Sequence, residues 1–311
     1  MFVILKPMFM KGFVTVATGK ESYYRMAHNL LLSYRYHAKT QTPFALLCDR
    51  QNEWTADFDQ VVIIDNPACS FFDKLRILDL SPYDETIFID ADSLVYKDLN
   101  AMWDWFKDGP DVGVLGAVYP KDSDKGWWDT NNLGELKDKV DYKITCIGGV
   151  YYVRKNGAVF PAFKETCRFV EQHYFDYQFK LFGDVLEDET IICLASCVHH
   201  FLPLKDWVEA FAFYSESNIL NADILSGTLE FEWTKYPGRL YKDTLFIHFG
   251  SVFVRNRWLY KEEVFKLKKG PVCPSNYGEY FLLRIRHTMI KIQATLFRWL
   301  GIKRDILSVY A

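Results

Sequence analysis

The chain has 311 residues, 50% hydrophobic and 17% aromatic, and carries a net charge of −3. That is ample for a large core, in one big domain or in one domain plus an appendage. The charge argues against a general nucleic-acid binder. With no apolar stretch of about 18 residues, no segment is expected to span a membrane.

Seven Cys is an odd number, and neither Cys-x-x-Cys nor Asn-x-Ser/Thr occurs. A reduced cytoplasmic compartment fits this usage. The opening Met1–Lys6 is too short in its apolar part to read as a signal peptide. The 19 Tyr and 9 Trp suit half-wet grooves as well as cores, which hints at a sugar- or base-binding cleft.

In chain order, residues 13–17 read as a strand. A turn over 18–22 leads into a helix at 23–37, with Met26, Leu30, Leu31 and Tyr34 at helical spacing. Strands follow at 44–48 and 60–64, a helix at 72–80, and a strand at 86–89. Another strand is expected at 113–118. Residues 121–139, rich in Asp, Lys, Gly and Asn, read as a loop or lid carrying Trp127 and Trp128. Then come a strand at 146–153, a helix at 160–179, and late strands at 198–202 and 245–249. Gly270, Pro271 and Pro274 break the chain. One basic helix over 278–300 closes it. Alternating strands and helices imply an α/β fold with a mostly parallel sheet. The expected domains are 1–269 and a helical tail, 270–311.

The strand at 86–89 ends in Asp90-Ala91-Asp92. Strand side chains two apart point the same way, so both carboxylates can reach one cation. Hard oxygens suit Mg²⁺ or Mn²⁺, and such an ion can grip a diphosphate. The plain alternative is a polar turn capping the next helix.

The stretch from Phe72 to Asp92, Phe-Asp-Lys-Leu-Arg-Ile-Leu-Asp-Leu-Ser-Pro-Tyr-Asp-Glu-Thr-Ile-Phe-Ile-Asp-Ala-Asp, resembles glycosyltransferase family 8. That family includes glycogenin-like and lipopolysaccharide galactosyl- and glucosyltransferase-like enzymes. The likeness spans roughly residues 12–250 and is strongest at 74–96. It implies a GT-A fold, a UDP-sugar donor, Mn²⁺ (or Mg²⁺) and retention of anomeric configuration. It implies metal ligands Asp90, Asp92 and His248, the last ending the segment Leu245–His248. His199-His200 is the competing pair.

Donor contacts implied by the likeness fall on Ala17, Thr18, Gly19, Tyr23, Lys74, Asp90, Ala91, Gly148 and Gly149, with Tyr24 the alternative to Tyr23 as an aromatic over uracil. The family's sugar-contacting Asn corresponds to Ile147. Asp188 and Glu189 correspond to the Asp-Gln pair at the anomeric carbon, with Glu189 in the Gln position, and are the catalytic candidates. Arg255, Asn256, Arg257 and Trp258 are candidate phosphate contacts.

The implied activity is hexosyl transfer, of glucose or galactose, to a sugar or lipid-linked acceptor. Two other readings stand beside it. One is a non-catalytic sugar-binding or scaffold protein on a degraded transferase fold. The other is a nucleotidyltransferase, although residues 18–22 lack the Gly- and Arg-rich loop that activity needs. The 284–304 segment holds six cations and no acid, with Leu282, Ile285, Met289, Ile292, Leu296 and Leu300 at helical spacing. A basic amphipathic helix of this kind suits an anionic membrane surface. The alternative is docking on the catalytic domain or on a second subunit.

Overall fold

The computed structural model describes residues 10–179, 187–204, 210–250 and 258–299, the side chains of 294, 297 and 298 aside. The chain divides into two units. The first takes residues 1–19, 40–91 and 100–210, and the second takes 20–39, 92–99 and 211–311. Elements are numbered along the chain.

The first unit is built on a six-stranded sheet. Its strands are β1 (Lys11–Ala17), β2 (Phe44–Cys48), β3 (Gln60–Ile63), β4 (Glu85–Ile89), β6 (Val112–Pro120) and β7 (Tyr142–Arg154), in the order β3-β2-β1-β4-β7-β6. The first four run parallel, and β7 lies antiparallel to both β4 and β6. Every residue of β2 is buried, as expected of a parallel strand covered on both faces. In register, Phe13 stands beside Phe44 and Ile87.

Helices flank this sheet. A 3-10 turn, Phe71–Arg76, runs into α2 (Ile77–Leu80), followed by α3 (Met102–Phe106), α4 (Phe160–Gln172) and α5 (Asp188–Val198). The fold is thus a mixed, mostly parallel α/β architecture.

Three expectations are corrected in this unit. Residues 198–202 form no strand, because Val198 ends α5. That helix is apolar almost all round, and periodicity cannot tell such a run from a buried strand. The helix expected at 160–179 stops at Gln172. The 121–139 segment is no open lid. It carries 3-10 turns at Thr130–Asn132 and Gly134–Lys139, and Trp128, Leu133 and Leu136 sit in the core while Trp127 packs against it.

The second unit contains α1 (Glu21–His37), β5 (Ser93–Val95), β8 (Ala212–Phe213), β9 (Ser217–Asp223), β10 (Thr228–Trp233), β11 (Leu240–Tyr241), β12 (Phe246–His248), α6 (Trp258–Lys269) and α7 (Tyr277–Trp299). One small sheet has the order β11-β10-β9 and the other β5-β12-β8. On β10, Leu229, Phe231 and Trp233 are buried between half-exposed neighbours. Ser33 of α1 accepts the Val95 N–H at 3.0 Å and so ties helix to strand. Helix α6 ends at Gly270, whose positive φ of 79° suits a glycine C-cap. Its N–H closes on the Lys266 carbonyl at 2.7 Å.

Cysteines 48, 146, 167, 193 and 197 are buried, Cys69 is exposed and Cys273 is partly so. The Cys193 thiol points at the Cys146 sulfur, 3.0 Å away. That contact, with burial, pushes the Cys146 thiol well up.

Candidate active site

In the first unit, β4 delivers Asp90 at its carboxyl end, where ligands of open α/β sheets gather. The Asp90 N–H donates to the Gly149 carbonyl at 3.0 Å, so the β4–β7 ladder fixes the backbone up to the carboxylate. Lys74, from the 3-10 turn, donates to Asp90 Oδ2 at 2.8 Å and lies 3.7 Å from Asp188 Oδ1. Asp188 is 2% exposed, and its other oxygen accepts the Tyr151 hydroxyl at 2.5 Å. Burial pushes the Asp188 carboxyl upward, while Lys74 and Tyr151 oppose the rise.

Glu189 accepts the Gly148 N–H at 2.6 Å. Burial, and then the neighbouring Asp188, raise its carboxyl to about 8. Both acids stand in the first turn of α5, where the helix dipole favours negative charge. The site therefore sets one lysine among three carboxyls, and a neutral, hydrogen-bonded Glu189 relieves the excess charge. Gly148 permits this closeness. A Cβ there would lie 2.7 Å from Tyr151 Oη, 2.8 Å from Glu189 Cγ and 3.0 Å from Asp188 Oδ2.

The end of β1 is built as a tight turn. Thr18 donates to Asp73 Oδ2 at 2.7 Å. Gly19 takes φ +74°, which favours glycine. Its N–H goes to Asp49 at 2.9 Å and its carbonyl accepts from Arg50 at 2.8 Å. These two backbone groups of the expected base-reading segment are thus engaged within the chain.

In the second unit, His248 ends β12 and is paired in register with Ser93 of β5. The Phe249 N–H donates to the Asp92 carbonyl at 3.1 Å. This ladder brings His248 Nε2 to 3.0 Å from Asp92 Oδ1. Both residues are buried, and apart from this imidazole Asp92 Oδ1 has no hydrogen-bond partner among the described residues. Neighbouring ligands of an octahedral ion with bonds of about 2.1 Å stand about 3 Å apart, so this spacing fits a shared cation. Asp90 is tethered to Asp92 through Ala91 alone. Two residues on, Cα atoms are at most about 7 Å apart, which keeps the Asp90 carboxylate within reach. Asp90, Asp92 and His248 are a group that could hold a divalent metal.

The competing His199-His200 pair is used otherwise. It follows a helix rather than lying on a strand. His199 Nε2 pairs with Thr166 at 2.9 Å, and exposed His200 lies 3.6 Å from Asp141. In α1, Tyr24 is fully buried and Tyr23 only partly so, so the half-exposed ring is Tyr23. Arg255, Asn256 and Arg257 lie outside the described residues. Tyr151 and Asp73, which hold Asp188 and Thr18, were not singled out from sequence. Nothing local marks Tyr151 among 19 tyrosines.

No protein-family model matches the chain, and no curated protein does. Solved structures do match. The bifunctional glycosyltransferase WbbM, without ligands, is 16% identical, with a TM-score of 0.52 over 89% of this chain and 52% of that one. The chain therefore spans about half the length of WbbM. An active-site mutant of LgtC is 15% identical over 86% of this chain and 99% of that one, at a TM-score of 0.49. Mouse xyloside xylosyltransferase 1 is 11% identical over 78% and 98%, at 0.48. The likeness to WbbM is a likeness of fold, and the fold this chain shares is that of a glycosyltransferase.

Proposed function

We propose that the protein is a metal-dependent glycosyltransferase that moves a hexose, glucose or galactose, from a UDP-sugar to a sugar or lipid-linked acceptor with retention. The observation that carries this reading is the buried Asp92–His248 pair, 3.0 Å apart, with Asp92 two residues beyond Asp90 on a GT-A-type fold. Carboxylate and imidazole together suit Mn²⁺.

In this reading Asp90, Asp92 and His248 hold the cation, which supplies Lewis-acid stabilisation of the departing diphosphate. Lys74 adds a fixed positive charge beside Asp90 and offsets phosphate charge. Tyr23 stacks on the base, next to the turn at Ala17, Thr18 and Gly19. Ala91, Gly148 and Gly149 offer backbone without bulk where the donor lies closest. Asp188 and Glu189 face the anomeric carbon, Asp188 held by Tyr151 and Glu189 by the Gly148 amide. The transferase domain in this proposal is 1–269, and 270–311 is its helical tail.

Calorimetry with UDP tests the reading. Binding is expected with Mn²⁺ present and is expected to vanish in EDTA or in Asp92→Asn. Equal UDP affinity in all three conditions would refute it. A non-catalytic sugar-binding protein is the second reading, favoured by Ile147 in place of the family's Asn. Metal-dependent hydrolysis of UDP-glucose or UDP-galactose separates the two, because only a catalyst releases the sugar.

A further inference from the structure

The second unit holds a buried polar pair to which the transferase reading gives no task. Asn29 is on α1 and Tyr260 in the first turn of α6, and they are 6% and 5% exposed. Asn29 Nδ2 donates to the Tyr260 hydroxyl at 3.2 Å, across 231 residues of sequence. Asn29 Oδ1 is buried with no partner among the described residues. A pair of apolar side chains would fill the same space without leaving a polar atom unmatched. Packing alone therefore does not account for these two residues.

The surroundings of Tyr260 lead to the metal ligands, within the same unit. Its ring meets that of Phe249 edge-on, with centroids 5.1 Å apart. Phe249 follows His248, and its N–H donates to the Asp92 carbonyl at 3.1 Å. The Asp92 carboxylate in turn stands 3.0 Å from His248. Because the Tyr260 oxygen accepts from Asn29, its own proton faces away from that amide. Burial keeps this hydroxyl protonated; the Asn29 amide opposes that, and the negative charge of Asp92 adds to it.

We propose that Asn29 and Tyr260 are positioning residues for the cation. Asn29 fixes the Tyr260 hydroxyl, which turns the positive end of its O–H dipole toward Asp92. The carboxylate is thereby held in the orientation in which it and His248 share one metal ion. The inference rests on the reading of Asp90, Asp92 and His248 as metal ligands. Both residues act through Asp92 rather than on the ion. Polar groups that orient a metal-binding side chain commonly change affinity ten- to a hundredfold. A pair that served packing alone would change stability and leave metal affinity as it was.

Titration of the full chain with Mn²⁺, read by the electron paramagnetic resonance of the free ion, tests this without substrate or turnover. Tyr260→Phe keeps the ring against Phe249 and removes only the hydroxyl. It is expected to weaken Mn²⁺ binding about tenfold or more, with circular dichroism unchanged. Asn29→Leu is expected to weaken binding in the parent and to have no further effect in Tyr260→Phe, because both act through one hydroxyl. The double variant is expected to resist urea at least as well as the parent, since both polar partners are gone together, yet to bind Mn²⁺ as weakly as Tyr260→Phe. Parent affinity in Tyr260→Phe and in the double variant would overturn this inference alone. Binding that falls only as far as the folded fraction falls would overturn it too. A parent that binds no Mn²⁺ would overturn it together with the transferase reading.

Discussion

Replacing Glu189 by Gln should stabilise the metal-free protein at high pH and leave it unchanged in acid. The Glu189 carboxyl is raised from 4.5 to about 8, by burial first and Asp188 second. Below about 4.5 it is neutral in both folded and unfolded chains and contributes no difference. Between 4.5 and 8 the unfolded chain sheds the proton while the folded one keeps it. Stability therefore falls as pH rises through that window, by about 1.4 kcal/mol per unit. Fully applied, the shift costs about 5 kcal/mol above pH 8. Glu189 keeps some solvent contact and is coupled to Asp188, so about 2–3 kcal/mol is the working figure. Gln carries no charge at any pH and can still accept the Gly148 N–H. In EDTA, thermal unfolding of Glu189→Gln should match that of the parent at pH 5 and exceed it at pH 9 by about 4–12 °C. A difference in melting temperature that stays flat from pH 5 to pH 9 would refute the reasoning.

Three further outcomes are expected. His248→Ala should weaken Mn²⁺ binding at least tenfold by calorimetry while His200→Ala leaves it unchanged, and an equal or reversed ranking would move the ligand. Gly148→Ala should destabilise by about 1–3 kcal/mol in urea, since its Cβ would meet Tyr151, Glu189 and Asp188 within 3.0 Å; a neutral result would show that those side chains can move aside. Trp128→Ala should cost about 3–5 kcal/mol and expose 121–139 to limited proteolysis, whereas a loop lying over the surface would lose almost nothing.

What the sequence made legible was what repeats or ends sharply. The apolar runs of β1, β2 and β4 stand out because both their faces are buried, and β4 passes straight from Ile89 into its carboxylates. The Phe246–His248 strand has the same apolar-then-polar outline. The two small sheets of the second unit were the least legible. Thr228–Trp233 alternates strictly, a strand signal that the expectations for 203–244 leave out. β5, β8 and β12 have three, two and three residues, too few for any period to show. Residues 198–202 read as a strand because Val198, Phe201 and Leu202 prolong the apolar end of α5. Tyr151 and Asp73 were invisible for another reason. Each acts across 37 and 55 residues of sequence respectively, so only the folded chain reveals its partner.

The uneven distribution of thiols has a practical consequence. Cys69 and Cys273 are the accessible ones among the described residues, and Ser275 lowers the pKa of Cys273, which favours the thiolate that reacts with maleimides. The two fall in different units, Cys69 in the first and Cys273 in the second. Native protein should therefore accept two dyes and no more, one on each unit, without any engineered cysteine. Energy transfer between them would report directly whether UDP and Mn²⁺ change the separation of the two halves.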